Sequence, residues 1–394
     1  MKVTFDRKKF AEAFALASSV APRRSPKPVL QNVKLTVVNA SEGVTSTLEA
    51  TDLEISLSLS LNGACELPNG KPGCVLLPVE KFGQILRECS DERLSLTDDA
   101  GKQGNLFVSG ARSQFTMPTV DAADFPMPKY VQAVGHFELT AAALKGLIRR
   151  TAFAADTESS RYALGGSLFE FAGGVLHMIA TDGRRMAASN APAKWSGTKE
   201  APDTGTTVVP ERALRILERL LPDDATTVDV TVAANDVHFY FANSCDSDGV
   251  SATGGTSFCS RLVEGRFPKW RDVLPNWLKN ATPIVLPVQA FTSALRQSAI
   301  VTSEESRGAT LKFSEGELSL AAQSSDAGKA DITVPLEYAE ADKSVTLDPT
   351  YVLDFLKCLL EGSPLELRLL DAESAVVFQS GDDYQYVVMP LARD

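Results

Sequence analysis

From Ile55 to Leu61 the chain reads ISLSLSL, a strict apolar–polar alternation that predicts a strand with one buried face. The same period runs through Val228, Val230 and Val232, and again through Val237, Phe239 and Phe241 after an Ala-Ala-Asn-Asp turn. Leu311-Lys-Phe313 and Leu318-Ser-Leu320 flank Ser-Glu-Gly-Glu and predict a hairpin. Strands with one apolar face predict antiparallel sheets with one wet side. Helical spacing alternates with these stretches. Leu214, Leu217 and Leu221 fall on one side of a predicted helix, while Arg212, Arg215 and Arg219 fall on the other.

The layout recurs three times. Each segment opens with a short strand and an amphipathic helix, continues in strands, enters a second helix beside a proline, and ends in strands. The prolines are Pro78, Pro210 and Pro349, and proline is tolerated in the first turn of a helix. LEATDLE (Leu48 to Glu54) echoes MIATDGR (Met178 to Arg184), and DAADFP, ending at Pro126, echoes VEGRFP, ending at Pro268. The third segment lacks both echoes and joins on layout alone. The expectation is an α+β fold of three repeated domains, at 1–134, 135–280 and 281–394, each with two helices packed on antiparallel sheets.

A net charge of −11 argues against nucleic acid at first sight, because phosphate contact needs local positive charge. The distribution changes that picture. Arg212, Arg215 and Arg219 form one stripe, and Lys145 and Arg149 are neighbours on another helix. Arg7, Lys8 and Lys9 open the first helix, and Arg23 and Arg24 follow it. The third repeat offers Arg296 and Lys357. A charged stripe can be a solvated face only; its recurrence at equivalent places favours a shared partner. Without interleaved aromatics such stripes suit the nucleic-acid backbone, not base reading. Acidic residues crowd loops and strand ends, Asp223, Asp224, Asp371, Glu373, Asp382 and Asp383 among them.

No enzymatic mechanism emerges. No glycine-rich phosphate loop, HExxH or nucleophile elbow is present. Six scattered cysteines and three distant histidines give no zinc spacing, so no metal and no cofactor are expected. Asp52 and Asp182 occupy the same repeat position, which predicts a structural turn, not a catalytic pair. No apolar run approaches the ~20 residues of a membrane span, and MKVTFDRKKF does not read as a secretory leader. A reducing cytoplasm is the expected compartment.

Several segments in order resemble the bacterial beta sliding clamp family, the beta subunit of DNA polymerase III. They are Arg24-Ser-Pro-Lys-Pro-Val-Leu-Gln-Asn32, Ala50-Thr-Asp-Leu-Glu54, Ala123-Asp-Phe-Pro126, Arg161-Tyr-Ala-Leu-Gly-Gly166, Ala180-Thr-Asp-Gly-Arg-Arg-Met186, Glu264-Gly-Arg-Phe-Pro268 and Tyr386-Val-Val-Met-Pro-Leu391. The resemblance covers essentially the whole chain. It implies a non-catalytic processivity factor: a head-to-tail homodimeric ring around duplex DNA, held without sequence preference. Expected partners are the polymerase III catalytic subunit, the clamp-loader complex, and other polymerases and repair proteins carrying clamp-binding peptides. An interaction scaffold that binds peptides but not DNA is the alternative.

By resemblance, Leu164, Thr181, Gly183, Arg184, Arg185, Met186, Pro268, Val273, Val387, Met389, Pro390 and Leu391 form the peptide pocket. Met, Leu, Val and Pro suit hydrophobic peptide anchors, and methionine adapts to several ligands. Arg24, Lys145, Arg149, Tyr162, Arg212, Arg215 and Arg219 are the expected DNA-facing residues. Arg112 and Phe115 are expected to meet Ile300 and Val301 across the dimer interface. Arg184, Asp272 and the Leu-Ala-Arg-Asp tail depart from the family pattern near the pocket, and Glu80 and Glu158 depart from it on the DNA side.

Overall fold

The computed structural model describes residues 1–40, 43–61, 65–67, 72–98, 104–126, 135–156, 163–196, 207–242, 254–303 and 306–391. The element order repeats three times. The first repeat runs β1 (Lys2–Asp6), α1 (Arg7–Ser18), β2 (Asn32–Ala40), β3 (Gly43–Thr51), β4 (Ile55–Ser60), β5 (Cys65–Glu66), β6 (Gly73–Pro78), α2 (Val79–Glu88), β7 (Arg93–Asp98), β8 (Asn105–Ser109) and β9 (Gln114–Pro118). The second runs β10 (Gly135–Thr140), α3 (Ala141–Thr151), β11 (Gly166–Ala172), β12 (Val175–Thr181), β13 (Arg185–Pro192), β14 (Lys194–Trp195), β15 (Val208–Pro210), α4 (Glu211–Leu220), β16 (Thr227–Val232), β17 (Asp236–Ala242) and β18 (Gly255–Arg261). The third runs β19 (Ile284–Val285), α5 (Val288–Ala299), β20 (Ala309–Ser314), β21 (Glu317–Ser324), β22 (Gly328–Pro335), β23 (Lys343–Leu347), α6 (Pro349–Leu356), β24 (Glu366–Arg368), β25 (Val376–Ser380) and β26 (Tyr384–Val388).

Local chemistry explains the helix starts. Asp6 caps α1 by accepting from Lys9 N, and Asp348 caps α6 by accepting from Thr350 N. The three prolines stand where the sequence puts them, Pro78 and Pro210 just before their helices and Pro349 in the first turn. In α1, Phe10, Phe14 and Ala17 lie one turn apart and are buried. Phe10 packs 4.3 Å from Phe5 and Phe14 packs 5.0 Å from Phe82, between ring centroids. The hairpin expected around residue 315 is present, with Phe313 opposite Leu318 and Leu311 opposite Leu320.

The repeats do not keep their sheets to themselves. All described sheet pairings are antiparallel, and one nine-stranded sheet has the order β14-β10-β16-β17-β18-β4-β3-β2-β6. It joins first-repeat to second-repeat strands where Phe258 of β18 faces Leu57 of β4. An eight-stranded sheet, β15-β11-β12-β13-β26-β25-β24-β19, joins second to third where Tyr386 faces Ala187. Read in reverse, it is the nine-stranded sheet strand for strand without β14. Sequence periodicity shows that a strand exists but not which repeat it pairs with. The packing units are therefore two: residues 1–145, 194–202 and 212–262, and residues 146–193, 203–211 and 263–394.

Two half-sheets remain, β5-β1-β7-β8-β9 in the first unit and β22-β21-β20-β23 in the second. Their edge strands, β9 and β22, correspond to β18 and β4 at the first junction and to β26 and β13 at the second. Among the described residues, no helix is long and apolar enough to cross a membrane.

Candidate functional site

The repeated Thr-Asp turns are the best-defined local devices in the chain. Thr51 Oγ1 donates to Ile55 O and accepts from Leu53 N, while Asp52 Oδ1 accepts from the backbones of Glu54 and Ile55. The second copy is built the same way: Thr181 Oγ1 donates to Arg185 O and accepts from Gly183 N, and Asp182 Oδ1 accepts from Arg184 and Arg185. The turn forces φ to +81° at Leu53 and +84° at Gly183, a region that favours glycine. In each aspartate Oδ1 is held by two backbone donors and Oδ2 by an arginine, Arg212 for Asp52 and Arg185 for Asp182.

Behind the second turn lies the predicted pocket. Met186 of β13 faces Val387 of β26, and Arg184 O accepts from Met389 N at 2.8 Å, fixing the tail beside the turn. Met186 and Val387 belong to a buried apolar cluster with Ala163, Leu168, Ile179, Val208, Phe267 and Val377. Leu164, Trp270, Leu274 and Leu278 pack against it half-buried. Val273 and Met389 stay 44% and 46% exposed, which leaves apolar surface open to a ligand. Gly183, Arg184 and Pro268 are exposed; Thr181, Pro390 and Leu391 are half-buried. Leu391 N donates to Thr346 O.

Arg185 turns away from this surface. Its Nε meets Asp182 Oδ2 and its Nη1 meets Asp354 Oδ2, each at 2.9 Å, and Nη2 donates to Phe153 O at 3.0 Å. Its guanidinium lies 4.4 Å from the Tyr351 ring centroid. Burial opposes its charge, but Tyr386, Asp354 and Asp182 outweigh that and hold its pKa above the ordinary value.

A cleft of about 790 Å³ opens on the same apolar cluster, between β12, β13 and the 3-10 turns at Trp270–Val273 and Asn276–Asn280. Ile179, Ala188, Trp270, Leu274 and Leu278 line it, with His177, Arg368 and Gln385 as polar groups. None of the twelve residues expected in the pocket lines this cleft. Its aromatic wall is fixed by Glu170, which accepts from Trp270 Nε1 at 2.8 Å and pairs with Arg271 at 2.7 Å. Burial lowers the His177 pKa, with Arg271 adding to the effect and Glu170 opposing it. Sequence reading missed Phe267, Trp270 and Leu274 as site residues, although RFPKW carries an aromatic-proline signal.

The basic residues divide. Arg24, Arg149 and Arg219 are exposed, and Arg215 is half-buried with Glu218 at 3.8 Å. Arg212 pairs with Asp52 while its side chain stays 53% exposed. Lys145 differs from expectation: it is 11% exposed, paired with Asp223 at 2.8 Å, and donates to Leu221 O. Its charge is used inside the fold. Tyr162 and Glu158 lie outside the described residues, as do the last three residues of the tail. At the expected interface, Phe115 is half-buried on edge strand β9 and Arg112 is exposed. Ile300 is 75% exposed, but Val301 is packed in the core of its own unit.

One set of possible metal ligands escaped the sequence reading because paired strands bring it together. His136 and Glu138 of β10 lie beside Asp229 of β16. Lys194 stands 3.9 Å from Glu138 and already offsets part of that charge.

Comparison with known proteins matches three family models in order along the chain. The DNA polymerase III beta subunit N-terminal domain matches residues 1–129, the central domain matches 138–269, and the C-terminal domain matches 271–392. The chain is 30% identical to the beta sliding clamp of Pseudomonas aeruginosa over 395 aligned positions, covering 99% of this chain and 100% of the relative. It is 29% identical to the beta sliding clamp of Escherichia coli K12, with the same coverage. Among solved structures, a DNA polymerase sliding clamp from P. aeruginosa superposes with a TM-score of 0.81 at 28% identity, over the full length of both chains. A Bartonella birtlesii DnaN sliding clamp bound to griselimycin superposes with a TM-score of 0.85 at 26% identity, again over both full lengths.

Proposed function

The chain belongs to the DNA polymerase III beta subunit family, the beta sliding clamps, and on that footing we propose that it encircles duplex DNA as a head-to-tail homodimer and tethers the replicative polymerase. It is a non-catalytic processivity factor of DNA replication. The clamp-loader complex, the polymerase III catalytic subunit and other polymerases and repair proteins are its partners, and the bacterial cytoplasm is its compartment. The division at 1–134, 135–280 and 281–394 is part of this reading.

The observation that carries it is the pair of half-sheets whose edges β9 and β22 have no strand partner among the described residues. Phe115 stands opposite Val108, as Phe258 stands opposite Phe239 and Tyr386 opposite Phe378. Ala330 stands opposite Ala322, as Leu57 stands opposite Ala50 and Ala187 opposite Ala180. Phe258–Leu57 and Tyr386–Ala187 close the two junctions inside the chain. The third such pair, Phe115 with Ala330 of the partner subunit, closes the dimer. Exposed Arg112 and Ile300 flank that seam, while Val301 supports it from within. An open edge strand that fits a repeated geometry also resolves the hazard an unpaired edge presents.

Arg24, Arg149, Arg212, Arg215 and Arg219 supply the positive charge that faces phosphate. Contacts of this kind weaken with salt and carry no base code, which suits a protein that must slide. The exposed Met389 and Val273 above the Met186–Val387 cluster receive the hydrophobic anchors of partner peptides.

Retention on DNA tests the reading. The protein is loaded by its loader complex onto nicked circular plasmid, gel-filtered, and the plasmid is then linearised. Retention on circles with loss from linear ends is expected. Equal retention on both would overturn encirclement, and failure to load with an active loader would favour the peptide-binding scaffold. Replacing Arg149, Arg215 and Arg219 with glutamate reduces loading while peptide affinity stays.

A further inference from the structure

The two internal junctions are the same construction with different linings. Lys34 faces Glu49 in β2 and β3, where Leu168 faces Ile179 in β11 and β12. Ser56 faces Thr51, where Met186 faces Thr181. Cys259 lies between Ser56 and His238, where Val387 lies between Met186 and Val377. Even the pin beside the turn is repeated: Arg261 N donates to Glu54 O at 2.9 Å, as Met389 N donates to Arg184 O at 2.8 Å. Phe125-Pro126 occupies the place of Phe267-Pro268.

Five apolar positions at the second junction are thus polar at the first: Leu168, Ile179, Met186, Val377 and Val387 against Lys34, Glu49, Ser56, His238 and Cys259. The polar set is internally matched. Lys34 and Glu49 form an ion pair at 3.0 Å with only 12% and 17% of their side chains exposed. Ser56 and Thr51 share a hydrogen bond at 2.8 Å, and His238 Nε2 lies 3.5 Å from Cys259 Sγ. Burial lowers the His238 pKa and raises the Cys259 thiol to about 12, so both are neutral at neutral pH. The remaining opening is a cleft of about 70 Å³ bordered by Glu49, Thr51, Ser56, His238, Cys259 and Phe125; Lys34 stands behind it as the partner of Glu49.

We propose that the first junction is a blocked twin of the peptide site, in which Lys34, Glu49, Ser56, His238 and Cys259 exclude hydrophobic anchors and so confine each protomer to one bound peptide. An apolar side chain entering this cleft would cover the Glu49 carboxylate, a hydroxyl, a thiol and an imidazole, and would return no hydrogen bond to any of them. At the second junction the same backbone presents methyl groups in every one of those places. Selectivity between twin sites then comes from the unfavourable lining of one as much as from the favourable lining of the other. This inference rests on the peptide-binding reading of the second junction.

The test copies the second lining into the first, with Lys34→Leu, Glu49→Ile, Ser56→Met, His238→Val and Cys259→Val in one chain. Calorimetric titration uses a synthetic peptide carrying a polymerase clamp-binding motif. The expected result is one peptide per wild-type protomer and two per variant protomer. A folded variant that still binds one, or a wild-type chain that binds two, would overturn the proposal. No binding by the wild-type chain would instead overturn the reading of the second junction on which it rests. If the fivefold variant does not fold, Lys34→Leu with Glu49→Ile removes the ion pair alone by replacing both partners together. Peptide-induced NMR shifts at the first junction are then expected, and their absence up to millimolar peptide would overturn the proposal.

Discussion

Arg185→Met should destabilise the second packing unit by about 3 kcal/mol. The substitution keeps the length of the stem but removes every donor. Three contacts are lost: two ion pairs at 2.9 Å, to Asp182 and Asp354, and the bond to Phe153 O at 3.0 Å. The stacking over Tyr351 at 4.4 Å goes with them. Removing one partner of a buried pair costs roughly 3–5 kcal/mol, mostly from the stranded counter-charge. Here Asp354 keeps Lys357 at 3.0 Å, Asp182 keeps its two turn amides, and the carboxylates are 17% and 26% exposed, so part of the loss is recovered and the lower end applies. About 3 kcal/mol is roughly a hundredfold in the unfolding equilibrium. Urea unfolding followed by tryptophan fluorescence is a suitable assay, since Trp270 and Trp277 both lie in that unit. Peptide affinity should fall less than stability, because the guanidinium faces Phe153 and Tyr351, not the exposed Met389. A loss below about 1 kcal/mol would show that the guanidinium behaves as a surface ion and would refute the burial argument. Arg185→Lys, which keeps charge but not the fork, should fall between.

Gly183→Ala should cost about 1 kcal/mol, read as a lower thermal midpoint, from its φ of +84° alone, since an added Cβ meets nothing within 4 Å. Leu53→Gly, in the same turn at φ +81°, should show a small shift of opposite sign. Phe115→Cys combined with Ala330→Cys should yield a disulfide between protomers on mild oxidation, visible as a covalent dimer on a non-reducing gel; monomer alone would contradict the proposed seam. Acidification should weaken the fold through His177 and His238, whose pKa values burial lowers from the ordinary 6.5. The unfolded chain takes up those protons first, so stability is full above pH 6.5 and falls as pH drops toward the folded values. Double replacement by glutamine should flatten the thermal midpoint between pH 7.5 and 5.5; an unchanged slope would point to other groups.

Periodicity revealed the helices entered at Pro78, Pro210 and Pro349, because a proline at a helix start and apolar residues at helical spacing are both local signals. The strands Ile55–Ser60 and Thr227–Val232 were equally legible, since one face of each is buried in strict alternation. Pairing between repeats was not. Phe258 meets Leu57 across some two hundred residues, and nothing in either strand names its neighbour. Charge misled in one place for a related reason. Lys145 stands one turn from Arg149 and looks equivalent to it, yet Asp223 from another loop captures it. The aromatic wall at Trp270 stayed hidden until Glu170, a buried carboxylate on β11, showed what holds it.

The edges of β9 and β22, without a strand partner among the described residues, have a further consequence for how the proposed ring opens. Each protomer closes two junctions within a single chain, where covalent connection makes the pairing intramolecular and independent of protein concentration. The third junction has no such tether and depends on how many protomers are in solution. In the proposed dimer, dilution or an applied force therefore parts the seam at Phe115 before either internal junction, even if all three were equal in strength. The location of the gate is dictated by chain connectivity, so mutation could make it stiffer or looser but could not easily move it.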